Sequence, residues 1–388
     1  MNTMRSSNFG IFIVLSFILI SFFTRFFFPF ADEPDWTVRA PNVIFSDHPF
    51  WSPYFIFHNW LSGFNIDHTQ CEVQASPMGL SAFIPSHCTE NLYQGLIRWV
   101  LELFILIPMF SIIIFRRAFI SSISVLGVRL SFNEWNNRID ALALSLLFPG
   151  MVYYLGVLAT EQLSLIVSLY IFLFWGFWVL LSGLVILLIS IDFGNSVVVI
   201  FFILTLWFLT YVRELGRGFY LFAITIGIGF AYFVGFEFLE LFLNMNILTG
   251  DLEQKSESIA SALNGSELLT KYPIILRPII TFMSFVFLTP SGVKVPLLYL
   301  LFIMFIFLIT LKVIQKKDKK FDYFWFSPFC IIVFFAFLLP TYSNAKYYIF
   351  ILPFLIYVSI FFYHKRSVFL LFMGANAFVL LHLLLYRL

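Results

Sequence analysis

Charged residues are scarce in this sequence: Asp, Glu, Lys and Arg make up 11% of the 388 residues, whereas 61% are hydrophobic. Soluble globular domains usually carry about 25% charged residues and less than about 50% apolar residues, so the composition excludes an ordinary soluble domain. The formal net charge of +2 is small, and no basic stripe with interleaved aromatic residues is present. Nucleic-acid binding is therefore excluded as well.

The sequence consists largely of long apolar runs. A membrane-spanning helix needs about 20 apolar residues, and the runs predict an all-α, polytopic transmembrane helix bundle of about eleven spans. The first run is too long for a signal-peptide core, so we expect an uncleaved first span in a single integral membrane domain, residues 1–388. The runs fall at about 11–30, 96–115, 140–158, 163–191, 196–212, 218–243, 274–290, 294–314, 323–340, 346–363 and 367–386.

Three basic clusters between these runs predict the orientation of the chain. Lys and Arg in short loops mark the cytoplasmic side of a membrane protein. The clusters place the N-terminus inside, a long loop over residues 31–95 outside, and the remaining bundle in residues 96–388. They lie in 116–138, 312–320 and 364–366.

Two arrangements of the middle of the chain satisfy this orientation. In the first, residues 163–191 form two short spans that turn near Trp175, and 274–290 is a re-entrant or interfacial helix. In the second, 163–191 is one long tilted span and 274–290 crosses the membrane. We favour the first arrangement, because it places Arg213 and Arg217 on the cytoplasmic side.

The outer loop 31–95 is rich in aromatic residues, which is typical of short helices at the membrane interface. It contains Cys71 and Cys88, and we predict a disulfide between them, which would contribute about 3 kcal/mol in the chain-entropy model. Two free or buried thiols are the alternative. Its four histidines lack the spacing of metal ligands, so no metal site and no cofactor is predicted. A divalent ion held by carboxylates is an alternative that the sequence leaves open.

The most concentrated acidic group follows the first span directly. The motif Asp32-Glu33-Pro34-Asp35 places three carboxylates at the outer membrane boundary, and Pro34 restricts the residue before it to extended geometry. Partial desolvation would raise the pKa of such a carboxyl group and suit it to act as a general base. A solvated turn that marks the membrane edge is the alternative interpretation.

Other polar residues are predicted on the same outer face. Glu161 lies in a tight turn, although an acid in the first turn of a helix is a common structural feature. Lys346 precedes the tenth span, where it would hold a phosphate or anchor the helix. Arg39 and Arg98 are further outer cations. Glu237 lies near the outer end of its span in the favoured arrangement, where it lines a catalytic cavity or a proton path.

The order of these motifs resembles the GT-C superfamily of membrane glycosyltransferases, which use polyprenyl-phosphate-linked sugars. The similarity rests on the acidic motif Asp32-Glu33-Pro34-Asp35 after the first span and on Glu161 between the third and fourth spans. It also rests on Asn344-Ala345-Lys346-Tyr347-Tyr348, which runs into a span with Pro353. Family members often have Arg where this chain has Lys346, so the sequence departs from the family there.

The resemblance implies a sugar transfer with inversion, from a polyprenyl phosphate to a hydroxyl of a surface glycan such as the O-antigen of lipopolysaccharide. The site would lie on the periplasmic face of a bacterial inner membrane. Asp32 would take the proton of the attacking hydroxyl, with Glu33 or Asp35 orienting it. The partners would be the lipid-linked donor, a glycan or glycolipid acceptor and membrane lipids. The substrate-binding residues would be Glu161, Lys346, Tyr347, Arg39, Arg98 and Glu237.

Three other functions remain as alternatives. An O-antigen polymerase or ligase uses similar donors but usually has its largest outer loop late in the chain, whereas residues 31–95 come early. A transporter of lipid-linked glycans or small solutes should carry ionisable residues near mid-membrane, and no internal repeat of the transporter kind is visible here. A structural or immunity-type membrane protein is the third.

Overall fold

The computed structural model describes residues 2–27, 56, 60, 63, 73–74, 84–85, 92–125, 130–158, 160–191, 193–234, 327–338 and 349–387. This part of the chain is helical except for one short antiparallel pairing. The strands are β1 Val73–Gln74 and β2 Ile84–Pro85. The helices are α1 Asn2–Phe27, α2 Leu92–Ile114, α3 Arg116–Val125, α4 Phe132–Leu146, α5 Pro149–Leu155, α6 Thr160–Leu173, α7 Trp178–Ile191, α8 Phe193–Leu215, α9 Arg217–Phe233, α10 Ser327–Leu338, α11 Leu352–Phe362 and α12 Lys365–Arg387.

Two helical segments are long and apolar enough to cross a membrane, Gly95–Ile114 and Ser196–Leu215. At 1.5 Å per residue, each of these 20-residue segments spans about 30 Å, the thickness of a hydrocarbon core. A third candidate arises if α4 and α5, which meet at 76°, form one broken span. The structure thus confirms a predominantly helical architecture, with two or three candidate membrane spans in its described part.

Helix α2 presents apolar side chains both to the core and outward. Leu106, Met109 and Ile113 are buried in the core of the bundle, whereas Phe104 and Ile107 are more than half exposed. A helix that presents apolar side chains outward as well as inward suits a lipid solvent, because a soluble protein rarely exposes such a surface. The exposed large residues of this helix are Leu96, Val100, Phe104 and Ile107.

The predicted span 140–158 is bent rather than straight. Pro149 occupies the first turn of α5, and the residue before it, Phe148, is extended at φ −68° and ψ 131°. A residue that precedes proline is sterically restricted from the helical region, so α4 ends here. Asn376 of α12 compensates for the break, because its Nδ2 donates to the Leu147 carbonyl at 2.6 Å.

The long run 163–191 is divided into two helices, α6 and α7, which pack against each other as a hairpin. Gly176 lies in the turn between them with φ 95°, a left-handed conformation that favours glycine. The break falls at the position that the favoured arrangement predicts, near Trp175 and Gly176. The two arrangements also differ in whether the segment 274–290 crosses the membrane, and this segment lies outside the described residues.

Helices α1 and α2 run antiparallel and in close contact. Near one end, a Cβ atom at Gly10 would lie 2.5 Å from Arg116 Nη2 and 3.0 Å from the Ile113 carbonyl oxygen. Near the other end, Trp99 Nε1 donates to Ser21 Oγ at 3.1 Å. The C-terminal end of α1 therefore lies beside the N-terminal part of α2.

We predict that Gly10→Val destabilises the protein, because the added side chain collides with the backbone of α2 at Ile113 and with Arg116. Overpacking of this kind costs about 1–3 kcal/mol. Gly183→Ala is the matched control, since a Cβ at Gly183 meets no described atom within 4 Å. Thermal unfolding in detergent should show a lower Tm for Gly10→Val and an unchanged or higher Tm for the control. Equal values would contradict the close approach of α1 and α2.

The pairing of β1 with β2 bears on the predicted disulfide. Val73 pairs with Pro85 and Gln74 pairs with Ile84. In the sequence, Cys71 precedes β1 by two residues and Cys88 follows β2 by three, and both cysteines lie outside the described residues. The pairing joins these two strands, and the disulfide between the two flanking cysteines stays a prediction.

We predict that Cys71 and Cys88 are linked and that Cys330 is a free thiol. Alkylation of the denatured, unreduced protein followed by peptide mass spectrometry should label Cys330 alone. Reduction should then expose two further sites of labelling. Labelling of all three cysteines before reduction would rule out the disulfide.

Candidate functional site

Buried polar residues gather at two opposite ends of the helical bundle. One group lies where α2 ends and α4 begins, and we call this region the Asp140 end. The other lies where α2 and α6 begin, and we call it the Glu161 end. Charged side chains are rare in the interior of a membrane protein and mostly serve its function. Each of these two sets of polar residues is therefore a candidate functional site.

Asp140 holds an ion cluster at the first of these ends. Its Oδ1 accepts a hydrogen bond from Arg116 Nη1 at 2.7 Å, and its Oδ2 accepts one from Lys365 Nζ. Lys365 also donates to Asn137 Oδ1 at 3.0 Å. The side chains of Arg116 and Asp140 are 2% and 4% exposed, so this charge pair is removed from solvent. One carboxylate thereby holds the start of α3, α4 and the start of α12 together.

Arg138, two residues before Asp140 on α4, binds the C-terminal end of α6. Its Nη1 donates to the carbonyl oxygens of Leu173 at 3.2 Å and of Trp175 at 2.6 Å, and its Nη2 pairs with Glu134. The last carbonyls of a helix have no partner within the helix, so this guanidinium satisfies the C-terminal end of α6. The turn of the α6–α7 hairpin is thus fixed at the Asp140 end.

These contacts bring two of the three basic clusters to one end of the bundle, and the cytoplasmic orientation of this end stays a prediction. The basic clusters in 116–138 and 364–366 are both predicted on the cytoplasmic side, and Asp140 joins them at one end of the bundle. The turn near Trp175, which the favoured arrangement also places inside, lies there too. The third basic cluster, 312–320, lies outside the described residues.

We predict that Asp140→Asn destabilises the fold strongly. It removes the only acid in contact with Arg116 among the described residues and leaves a buried cation without its counter-charge, which costs about 3–5 kcal/mol. Glu134→Gln is the control, because Glu134 is 36% exposed and an exposed pair contributes less than about 1 kcal/mol. Thermal unfolding of both variants in detergent measures the difference. A Tm loss no greater than that of Glu134→Gln would refute a stabilising role for the cluster.

At the Glu161 end, ionisable side chains are buried on α2 and in the first turn of α6. Arg98 and Glu102, four residues apart on one face of α2, are both 0% exposed. Glu161, in the first turn of α6, is 3% exposed. Leu101 and Leu158 pack together, and this contact brings the first turns of α2 beside the turn that carries Glu161. Two predicted site residues, Arg98 and Glu161, therefore lie on elements in contact.

Gln162 fixes the turn in front of α6. Its Nε2 donates to the Leu155 carbonyl at 2.5 Å, which joins the end of α5 to the start of α6. Its Oε1 is buried and accepts no hydrogen bond from the part of the chain that the structure describes, and the same holds for Ser164 Oγ. Buried polar atoms normally have a partner, so this end of α6 keeps hydrogen-bonding capacity unused.

Described residues that flank two polar sequence segments also lie toward the Glu161 end. Helix α1 ends at Phe27 on this side, five residues before Asp32. Ile349, three residues after Lys346, packs against Gly150 in the first turn of α5. The flanks of the acidic motif, of Glu161 and of the Lys346 motif thus share one end.

No family model, curated protein or solved structure matches this chain.

The remaining predicted site residues lie outside the described part of the chain. They are Asp32, Glu33, Asp35, Arg39, Glu237, Lys346 and Tyr347.

Sequence reasoning missed three of the buried polar residues. Glu102 follows Arg98 by four residues in an otherwise apolar run, a spacing that would have indicated a shared helix face. Gln162 follows Glu161 directly but gave no separate signal. Asp140 stands at the edge of a predicted span, and its partners Arg116 and Lys365 are 24 and 225 residues away, so no local pattern could identify it.

Proposed function

We propose that this protein is a membrane glycosyltransferase of the GT-C type. It transfers a sugar from a polyprenyl phosphate to a hydroxyl group of a surface glycan, such as the O-antigen of lipopolysaccharide. In this proposal the chain crosses a bacterial inner membrane about eleven times, with its N-terminus in the cytoplasm. The Glu161 end faces the periplasm and carries the active site.

The burial of Arg98, Glu102 and Glu161 at one end of the bundle carries the proposal. Removing charged groups from water is costly, and ionisable residues within membrane helices are mostly functional for that reason. Both signs of charge are present, as a reaction with a phosphate leaving group and a hydroxyl nucleophile demands. The flanks of the acidic motif and of the Lys346 motif reach the same end, which supports a common pocket.

The proposed reaction is a single displacement at the anomeric carbon. Asp32 removes the proton from the acceptor hydroxyl, and Glu33 or Asp35 orients that carboxylate or the acceptor. The acceptor oxygen forms the new glycosidic bond while the bond from the anomeric carbon to the phosphate oxygen breaks. The polyprenyl phosphate departs with the bonding electrons, and attack from the opposite face inverts the anomeric configuration.

The cations of this end are assigned to the leaving group. Arg98 and Lys346 stabilise the negative charge that develops on the phosphate, with Arg39 as a further cation at the surface. Arg98 is suited to this task because a buried guanidinium acts in a medium of low dielectric. Glu161, Tyr347 and Glu237 bind hydroxyl groups of the donor or the acceptor.

We predict that Asp32→Asn or Asp35→Asn reduces transfer by about a hundredfold or more while the protein still inserts and folds, since the first change removes the general base and the second a carboxylate that orients it. The measurement is the mass of surface glycan from cells that express each variant, which shows whether a sugar residue has been added. Glu214→Gln, an exposed carboxylate of α8, serves as the matched control and should keep full activity.

Western blotting of membrane fractions and thermal unfolding would confirm that each variant is present and folded. Full activity in both Asp32→Asn and Asp35→Asn would remove the proposed base. Loss of activity in Glu214→Gln to the same extent would show that the assay responds to any lost carboxylate.

A further inference from the structure

The Asp140 end carries exposed cations that the sugar-transfer proposal does not use. Arg117 and Arg366 are both exposed, and neither forms an ion pair with another described residue. Arg116 and Lys365 bind the two oxygens of the Asp140 carboxylate, and we call these three residues the Asp140 cluster. Arg117 directly follows Arg116, and Arg366 directly follows Lys365. Asp140 therefore links the starts of α3 and α12, each of which carries an exposed guanidinium group with no ion-pair partner among the described residues.

The charges of this region do not balance among the described residues. Arg116, Arg117, Lys365 and Arg366 are four cations, and among the described residues Asp140 is the one acid that pairs with any of them, through Arg116 and Lys365. Moreover, α3 and α12 both begin here, and neither helix has an acidic residue in its first turn. A helix N-terminus is itself positive, so cations there are unfavourable unless an anion is present.

The surroundings of these cations are apolar and outward-facing. Leu370, one turn after Arg366 on α12, is 62% exposed, and Phe115, two residues before Arg117, is 66% exposed. Phe12 of α1 is also exposed, and its ring centroid lies 5.1 Å from that of Phe369. A small soluble anion would gain nothing from this apolar surface, whereas acyl chains would cover it.

We propose that Arg117 and Arg366 bind the headgroup phosphate of an anionic phospholipid, whose acyl chains lie along the exposed apolar residues of α1 and α12. Guanidinium groups suit this task, because their planar donors match phosphate oxygens. The Asp140 cluster positions the two guanidinium groups and does not itself contact the lipid. Basic sites between membrane helices bind anionic headgroups in this way.

The test uses the full-length protein in nanodiscs of phosphatidylcholine that contain increasing fractions of phosphatidylglycerol, with thermal unfolding as the readout. Phosphatidylglycerol should raise the Tm, because a ligand that binds only the folded state stabilises it. In Arg117→Gln/Arg366→Gln, the fraction that gives half of this effect should increase about tenfold or more. Arg117→Lys/Arg366→Lys keeps both charges and should retain most of the stabilisation by phosphatidylglycerol. This variant also shows that the fold accepts substitution at both positions.

Arg213→Gln/Arg217→Gln is the matched control, because these two exposed cations also lie at a junction of two helices, α8 and α9. The control should respond to phosphatidylglycerol as the unmodified protein does. An unchanged response of Arg117→Gln/Arg366→Gln, or an equal loss in the control, would overturn the site. Equal stabilisation by inorganic phosphate in pure phosphatidylcholine would identify a soluble anion as the ligand and would overturn the lipid assignment.

Discussion

The carboxylate of Asp140 sets the arrangement of the bundle. It is buried between Arg116 and Lys365, and those cations stand at the ends of segments far apart in the chain. In a lipid solvent the hydrophobic effect contributes little to the association of helices, so a charged contact of this kind has a large influence on which helix ends meet. Once these ends are fixed, the antiparallel order of the helices determines what reaches the Glu161 end.

Interruptions of the helices recur where side chains can satisfy the freed backbone groups. Asn376 compensates for the bend before Pro149, Arg138 for the end of α6, and Gln162 for the end of α5. Such breaks are tolerated at membrane depth only when protein groups replace the missing hydrogen bonds. The Glu161 end lies beside two of these breaks, so short helices meet the long helices α1 and α2 there.

The local sequence pattern indicates where helices break. A run of 29 residues from 163 to 191 is too long for one ordinary span, and the break beside Gly176 follows from that length. The proline rule would have given the bend at Pro149, had it been applied there. The burial of Arg98 with Glu102 and the bridging role of Asp140 depend on which helices pack together. That depends on contacts across the whole bundle, and no single segment of sequence contains it.

The shortness of the α6–α7 hairpin has a consequence for the membrane around it. Each helix has 14 residues and is about 21 Å long, whereas the hydrocarbon core is about 30 Å thick. Val179 and Ile186 of α7 nevertheless face outward. If both helices cross the membrane, as the proposed topology has it, a thinner bilayer beside the hairpin would match their length, as lipids do next to a short hydrophobic segment. Headgroups would then sink several ångströms toward Glu161, which shortens the path of a lipid phosphate to the buried charges.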